Sequence, residues 1–216
     1  MSAVLRAARG PGGGGGPDAP ASLARRWARR PRACSVGLWV FMGVASTLFS
    51  LFGVAYVMRL ANADAVAIAM PPQLLLSTAW LVLASVLLQG AAATSDWPER
   101  SRAWLLAGGL CSLGFLATQG WAWQALMARA VGPAGNPAAS FFYLLTALHA
   151  LHLAGGLAGW ALAARAAWDT GAAPVAAWRI TLCARYWHFL LLVWLALYAG
   201  FTWITPEVAR VICRTA

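Results

Sequence analysis

The 216-residue chain contains no lysine and only six acidic residues, so charged groups make up 10% of it. Soluble domains carry about 25% charge. Combined with 61% hydrophobic residues, this scarcity excludes an ordinary soluble globular protein, a disordered chain and a fibrous repeat. No Asp or Glu falls within any long apolar run. That absence argues against a carboxylate proton or ion pathway and against a two-carboxylate or di-iron centre. Cysteines are few and scattered: Cys34, Cys111, Cys183 and Cys213 lie thirty or more residues apart. Neither a CxxC ligand pair nor a dense disulfide framework can be drawn from that spacing. The only histidines are His149, His152 and His188, which limits any metal or haem site. No phosphate-binding glycine loop, GxSxG, HExxH or Ser/His/Asp arrangement is present.

What is abundant is apolar sequence in long runs. Five segments, at about 36–58, 72–93, 103–127, 140–164 and 186–204, are each long enough to cross a hydrocarbon core of about 30 Å. In lipid the backbone must satisfy its own polar groups, so such runs are expected to be helices. The fold expected for residues 34–216 is therefore an all-α polytopic membrane bundle of five transmembrane helices. The linkers agree. Asp96 and Glu99 around Pro98 suggest a capping-box start, and Gly132–Pro137 is a breaker cluster. Residues 166–183 are expected as a longer loop carrying Pro174.

Residues 1–33 differ. A Gly/Pro run over 10–17 precedes Arg25, Arg26, Arg29, Arg30 and Arg32, and is expected to form a disordered tail. An Arg-rich, acid-poor start also resembles an organelle transit peptide; a bacterial cytoplasmic tail is the simpler reading. A secretory signal is not expected, because the first apolar run starts too late. All sixteen basic residues are arginines and the net charge is +10. They sit in the tail and loops, so they are read as topology signals and not as a nucleic-acid surface. Twelve fall with the tail and the second and fourth loops, and four fall opposite. The positive-inside rule then sets the N-terminus in the cytoplasm and the C-terminus outside.

Within the fourth span, His149 and His152 share one helix face with Gly156 and Gly159, and Gly155 with Gly159 forms a GxxxG pair. The pair reads as neutral histidines hydrogen-bonding a neighbouring helix, with a metal, haem or lipid-headgroup site as the competing reading. Arg185, Tyr186, Trp187, His188 and Phe189 read as an interfacial anchor opening the fifth span. Trp187, Leu191, Trp194, Tyr198 and Phe201 form an aromatic stripe that reads as helix packing. Further interface anchors are expected among Trp39, Trp97, Trp104, Trp121, Trp123 and Trp203.

Several stretches together resemble subunit III of the haem–copper cytochrome c oxidases in its short five-span bacterial form. Residues 140–156, with Phe142-Tyr143, Leu145-Thr146, His149, His152 and Gly155-Gly156, look like the family's F-Y-x-L-T-x-x-H-x-x-H-x-x-G-G stretch. Tyr186-Trp187-His188-Phe189 with Trp194 is similar to its Y-W-H-F segment and downstream Trp. Gly37, Trp39, Phe41, Ala55, Tyr56 and Arg59 resemble its first-span pattern; Pro72, Thr78, Leu83 and Ser85 its second; Gly114, Phe115, Gln119 and Trp123 its third. Two family carboxylates are missing, with Ala45 and Leu191 at those positions.

The resemblance implies a non-catalytic core subunit of a proton-pumping terminal oxidase in a bacterial plasma membrane. Oxidase subunits I and II would be its partners and would hold the haem and copper. No catalytic residue, metal or redox cofactor would lie on this chain; phospholipid would bind it. His149, His152, Gly156, Arg185, Tyr186, Trp187, His188, Phe189, Trp194 and Arg59 would be lipid or subunit contacts. Another subunit would supply the two helices of the seven-span form that this chain lacks. Alternatives are an accessory subunit of a nitric oxide reductase or quinol oxidase, a b-type cytochrome pairing His149 or His152 with His188, or a small-molecule transporter.

Overall fold

The computed structural model describes residues 18–61, 70–133, 137–169 and 173–215. Those residues form six helices and no strand: α1 (Asp18–Leu60), α2 (Gln73–Ala93), α3 (Pro98–Ala128), α4 (Pro137–Trp168), α5 (Ala173–Trp203) and α6 (Pro206–Thr215). Five of them are long and apolar enough to cross a membrane. The shortest, α2, has 21 residues, about 31 Å at 1.5 Å per residue.

The described residues up to Gly37 belong to one compact unit and those from Leu38 onward to another. In the first unit residues 18–37 are helical. The expected disordered tail is therefore helical over 18–33; the Gly10–Pro17 run lies outside the described residues. An Ala- and Arg-rich stretch has high helix propensity, and charge alone does not oppose it.

Within the second unit, α2, α3, α4 and α5 form a four-sided box in which α2 adjoins α3, α3 adjoins α4, α4 adjoins α5 and α5 adjoins α2. Neighbours run antiparallel, as successive hydrogen bonds show. Trp123 Nε1 donates to Thr146 Oγ1 at 3.2 Å, and Trp160 Nε1 donates to the Leu105 carbonyl at 2.8 Å. Between α2 and α5, Trp194 Nε1 donates to Thr78 Oγ1 at 2.9 Å. The portion of α1 from Leu38 onward joins the box through large side chains. Phe41 meets His152 and Tyr186, Phe49 meets His149 and His152, and Tyr56 meets Phe141 and Phe201.

Small residues decide where the box closes tightly. A Cβ added at Gly109 would overlap the Trp160 indole, and one at Gly108 would lie 2.7 Å from Leu88 Cγ. Hydroxyls inside the helices are silenced locally: Ser46, Ser112, Thr146 and Thr202 each bond the carbonyl four residues back, a familiar solution where lipid offers no partner. Leucines such as Leu110, Leu151 and Leu192 project outward, where acyl chains would meet them.

Two boundaries differ from the sequence expectation. α5 begins at Ala173, so 173–183 is helix and not loop. Pro174 stands in the first turn, the one helical site that tolerates it, and alanines carry the helix on. The capping box does not form: α3 is N-capped by Trp97 without a side-chain bond, which leaves Asp96 one residue too early to cap.

Candidate functional site

Side chains from α1, α3, α4 and α5 converge around His149. His149 is fully buried, and its ring lies 5.2 Å from Trp194, 5.6 Å from Phe115 and 6.4 Å from Phe49, centroid to centroid. Neither of its ring nitrogens has a hydrogen-bond partner. The expected bond from His149 to a neighbouring helix is thus replaced by an aromatic sleeve. Gln119 stands one turn beyond Phe115 on α3; it too is buried, with both amide atoms unpartnered.

His152, one turn along α4, is half-buried. Its Nδ1–H donates to the Leu148 carbonyl at 2.8 Å, and its ring packs on Phe49 and Phe41. Its own carbonyl accepts the Tyr186 hydroxyl at 3.0 Å. Gly156 admits Tyr186 and Trp187: a Cβ there would lie 2.8 Å from Tyr186 Cε1. Gly155 and Gly159 instead face open space. The GxxxG pair therefore makes no helix seam among the described residues, and Gly159 does not share the packed surface of Gly156.

On α5, Trp187 is fully buried and donates to Ser112 Oγ at 2.8 Å. Trp194 is fully buried and meets Phe115 edge-on at 5.1 Å. Phe189 stacks on Tyr186 at 6.2 Å. The stripe from Trp187 to Phe201 faces inward, as packing predicts. The segment 186–189 is not an interfacial anchor at the start of its span, however. With α5 beginning at Ala173, His188 is the helix's sixteenth residue of 31. It reaches α2, where Nδ1 lies 2.5 Å from Ser85 Oγ and Nε2 lies 3.0 Å from Gln89 Oε1.

Both ring nitrogens of His188 are thus engaged by α2, while His149 and His152 pack toward α1, α3 and α5. The geometry does not pair His188 with either one. Among the described residues, no three His, Cys, Asp or Glu side chains gather as a metal site. Arg185 is exposed, and Arg59 is half-buried in the last turn of α1. Of the expected tryptophan anchors, Trp39, Trp97, Trp104, Trp121 and Trp203 project outward; Trp123 turns inward to Thr146. Sequence reading named Thr146 only as part of the family stretch and passed over the polar partners Ser112 and Gln89, although isolated polar residues inside apolar runs are a known sign of interhelical bonding.

No protein-family model matches the chain. Curated proteins do. Cytochrome bo(3) ubiquinol oxidase subunit 3 of Pseudomonas putida is 30% identical over 95 residues, 44% of this chain and 46% of that protein. Probable cytochrome c oxidase subunit 3 of Mycobacterium tuberculosis is 30% identical over 97 residues, 45% and 48% of the two chains. The Nocardia farcinica protein of the same name is 29% identical over 98 residues, with the same coverage. These homologues are oxidase subunits 3. The matched region spans about half the length of each of these relatives.

Proposed function

We propose that this chain is subunit III of a haem–copper terminal oxidase in a bacterial plasma membrane. The observation that carries the reading is its kinship with oxidase subunits 3. The chain contributes a rigid helical box and no reaction chemistry; the electron and proton steps of a pumping oxidase belong to subunits I and II, which hold haem and copper. The chain packs on the catalytic subunit and binds phospholipid, with its N-terminus in the cytoplasm and its C-terminus outside. The aromatic sleeve of His149 and the packed Gly156–Tyr186 seam support this reading, because they make a stiff wall of interlocked helices.

The electron donor is cytochrome c or a quinol, as both kinds of oxidase occur among the relatives. Affinity purification of the tagged chain from detergent-solubilised native membranes tests the reading. A haem-containing complex that consumes oxygen is expected, and comparing reduced cytochrome c with ubiquinol as donor assigns the electron source. Purification of the chain without any haem protein would overturn the proposal.

A further inference from the structure

One outward face of the box is polar at a depth where lipid tails lie. It is formed by Gln89 on α2 and by His188 and Arg185 on α5, all exposed. Gln89 lies four residues before the end of α2 and Ser85 eight, about 6 Å and 12 Å inside that end. His188 bonds both, so it lies between those levels. Arg185 is one turn nearer the end.

Hydrogen-bond accounting shows what this face lacks. Gln89 Oε1 can only accept, so His188 Nε2 carries the proton and donates to it. Nδ1 of the neutral ring then accepts from the Ser85 hydroxyl. The relay leaves the Gln89 amide N–H groups with no acceptor among the described residues. Arg185, a permanent cation with five donors, has no partner among the described residues either. The outward edge therefore carries unmatched donors and a positive charge, flanked by the exposed apolar side chains Val86 and Leu192.

Among the described residues no side chain supplies the missing acceptor. The chain's six acidic residues are Asp18, Asp64, Asp96, Glu99, Asp169 and Glu207, all outside the apolar runs, and Asp96 and Glu99, at this end of α2, do not pair with Arg185. A lipid phosphate reaches a snorkelling arginine, yet acyl tails offer no acceptor at the level of Gln89. Intramembrane polar groups face protein as a rule.

The geometry points to the Gln89–His188–Arg185 face as the seat of a transmembrane helix from another subunit, one that brings a carboxylate to Arg185 and the Gln89 amide. This rests on the subunit III reading for the partner's identity alone; the chemistry of the face stands without it.

The test uses the full chain in native membranes, with a photo-crosslinking benzoylphenylalanine in place of Val86 or Leu192, and of Leu110 on α3 as the control. Crosslinking to a transmembrane segment that contains Asp or Glu is expected from Val86 and Leu192 and not from Leu110. Arg185→Leu should cut that yield at least five-fold, and Arg185→Lys should restore most of it. Only lipid adducts, a partner segment without an acid, or a yield insensitive to Arg185→Leu would overturn the inference. Mass spectrometry of the adduct separates the two claims. An acid-bearing segment of any subunit of a haem–copper oxidase upholds both, whereas an acid-bearing segment of a membrane protein outside any oxidase complex upholds this face and sinks the oxidase reading.

Discussion

Gly109 and His149 show how differently two small sites respond to one added or removed group. Gly109 lies against the Trp160 indole so closely that a methyl group would overlap it, and Trp160 is also tied to the Leu105 carbonyl. The ring cannot move aside without losing that bond. Gly109→Ala should destabilise the solubilised chain by about 1–3 kcal/mol, whereas Gly120→Ala, with nothing within 4 Å, should be near neutral. Heating with a thiol-reactive dye reads both, since Cys111 and Cys183 are buried and report unfolding. His149 behaves in the opposite sense. Its two nitrogens are buried without partners, a state that costs about 1–3 kcal/mol per group. His149→Leu keeps most of the volume and removes the unpaired atoms, so its melting temperature in the same assay should match or exceed the unmodified chain's. A clear drop would mean that the imidazole has a polar partner in the membrane. That His149 and His152 share a face was readable from their spacing of three. Their real neighbours were not, because Phe49, Phe115 and Trp194 come from three other helices.

Helices were the most legible level. All five apolar runs became helices because lipid leaves the backbone no alternative. Their ends were less legible, since hydropathy marks where a helix can lie in lipid and not where it starts. Ala173–Cys183 looked like loop for that reason, and its helical state moved His188 from a span's edge to the middle of α5. α6 escaped notice altogether, although Thr205-Pro206-Glu207 is a readable helix start. Thr205 Oγ1 accepts from the Val208 amide at 3.4 Å, and the Thr205 carbonyl accepts from the Ala209 amide at 2.9 Å. A ten-residue helix is marginal in water, so this cap matters. Thr205→Val should weaken α6 by about 1 kcal/mol. A spin label on the exposed Cys213, in a chain with Cys34→Ala, should become more mobile; unchanged mobility would show that packing alone holds the helix.

At the scale of the whole chain, charge sets direction. Arg100, Arg102, Arg165, Arg179 and Arg185 all fall toward one end of the box, whereas Arg129 and Arg210 fall toward the other. A C-terminal alkaline phosphatase fusion should be active and an N-terminal one inactive; the reverse result would refute a cytoplasmic N-terminus. The five-span plan and the oxidase subunit III resemblance could be read in the chain. The closed four-helix box with residues 38–60 of α1 packed against it could not, because contacts between distant helices leave no local signature. That arrangement also orders events during synthesis. Phe41, Phe49 and Tyr56 find their partners only on α4 and α5, more than eighty residues downstream. At about 5–20 residues per second, α1 waits in the bilayer for several seconds to tens of seconds with its aromatic side unclaimed. It is made well before the helices that seat it, and during that interval a chaperone or a partner subunit has its best opportunity to hold it.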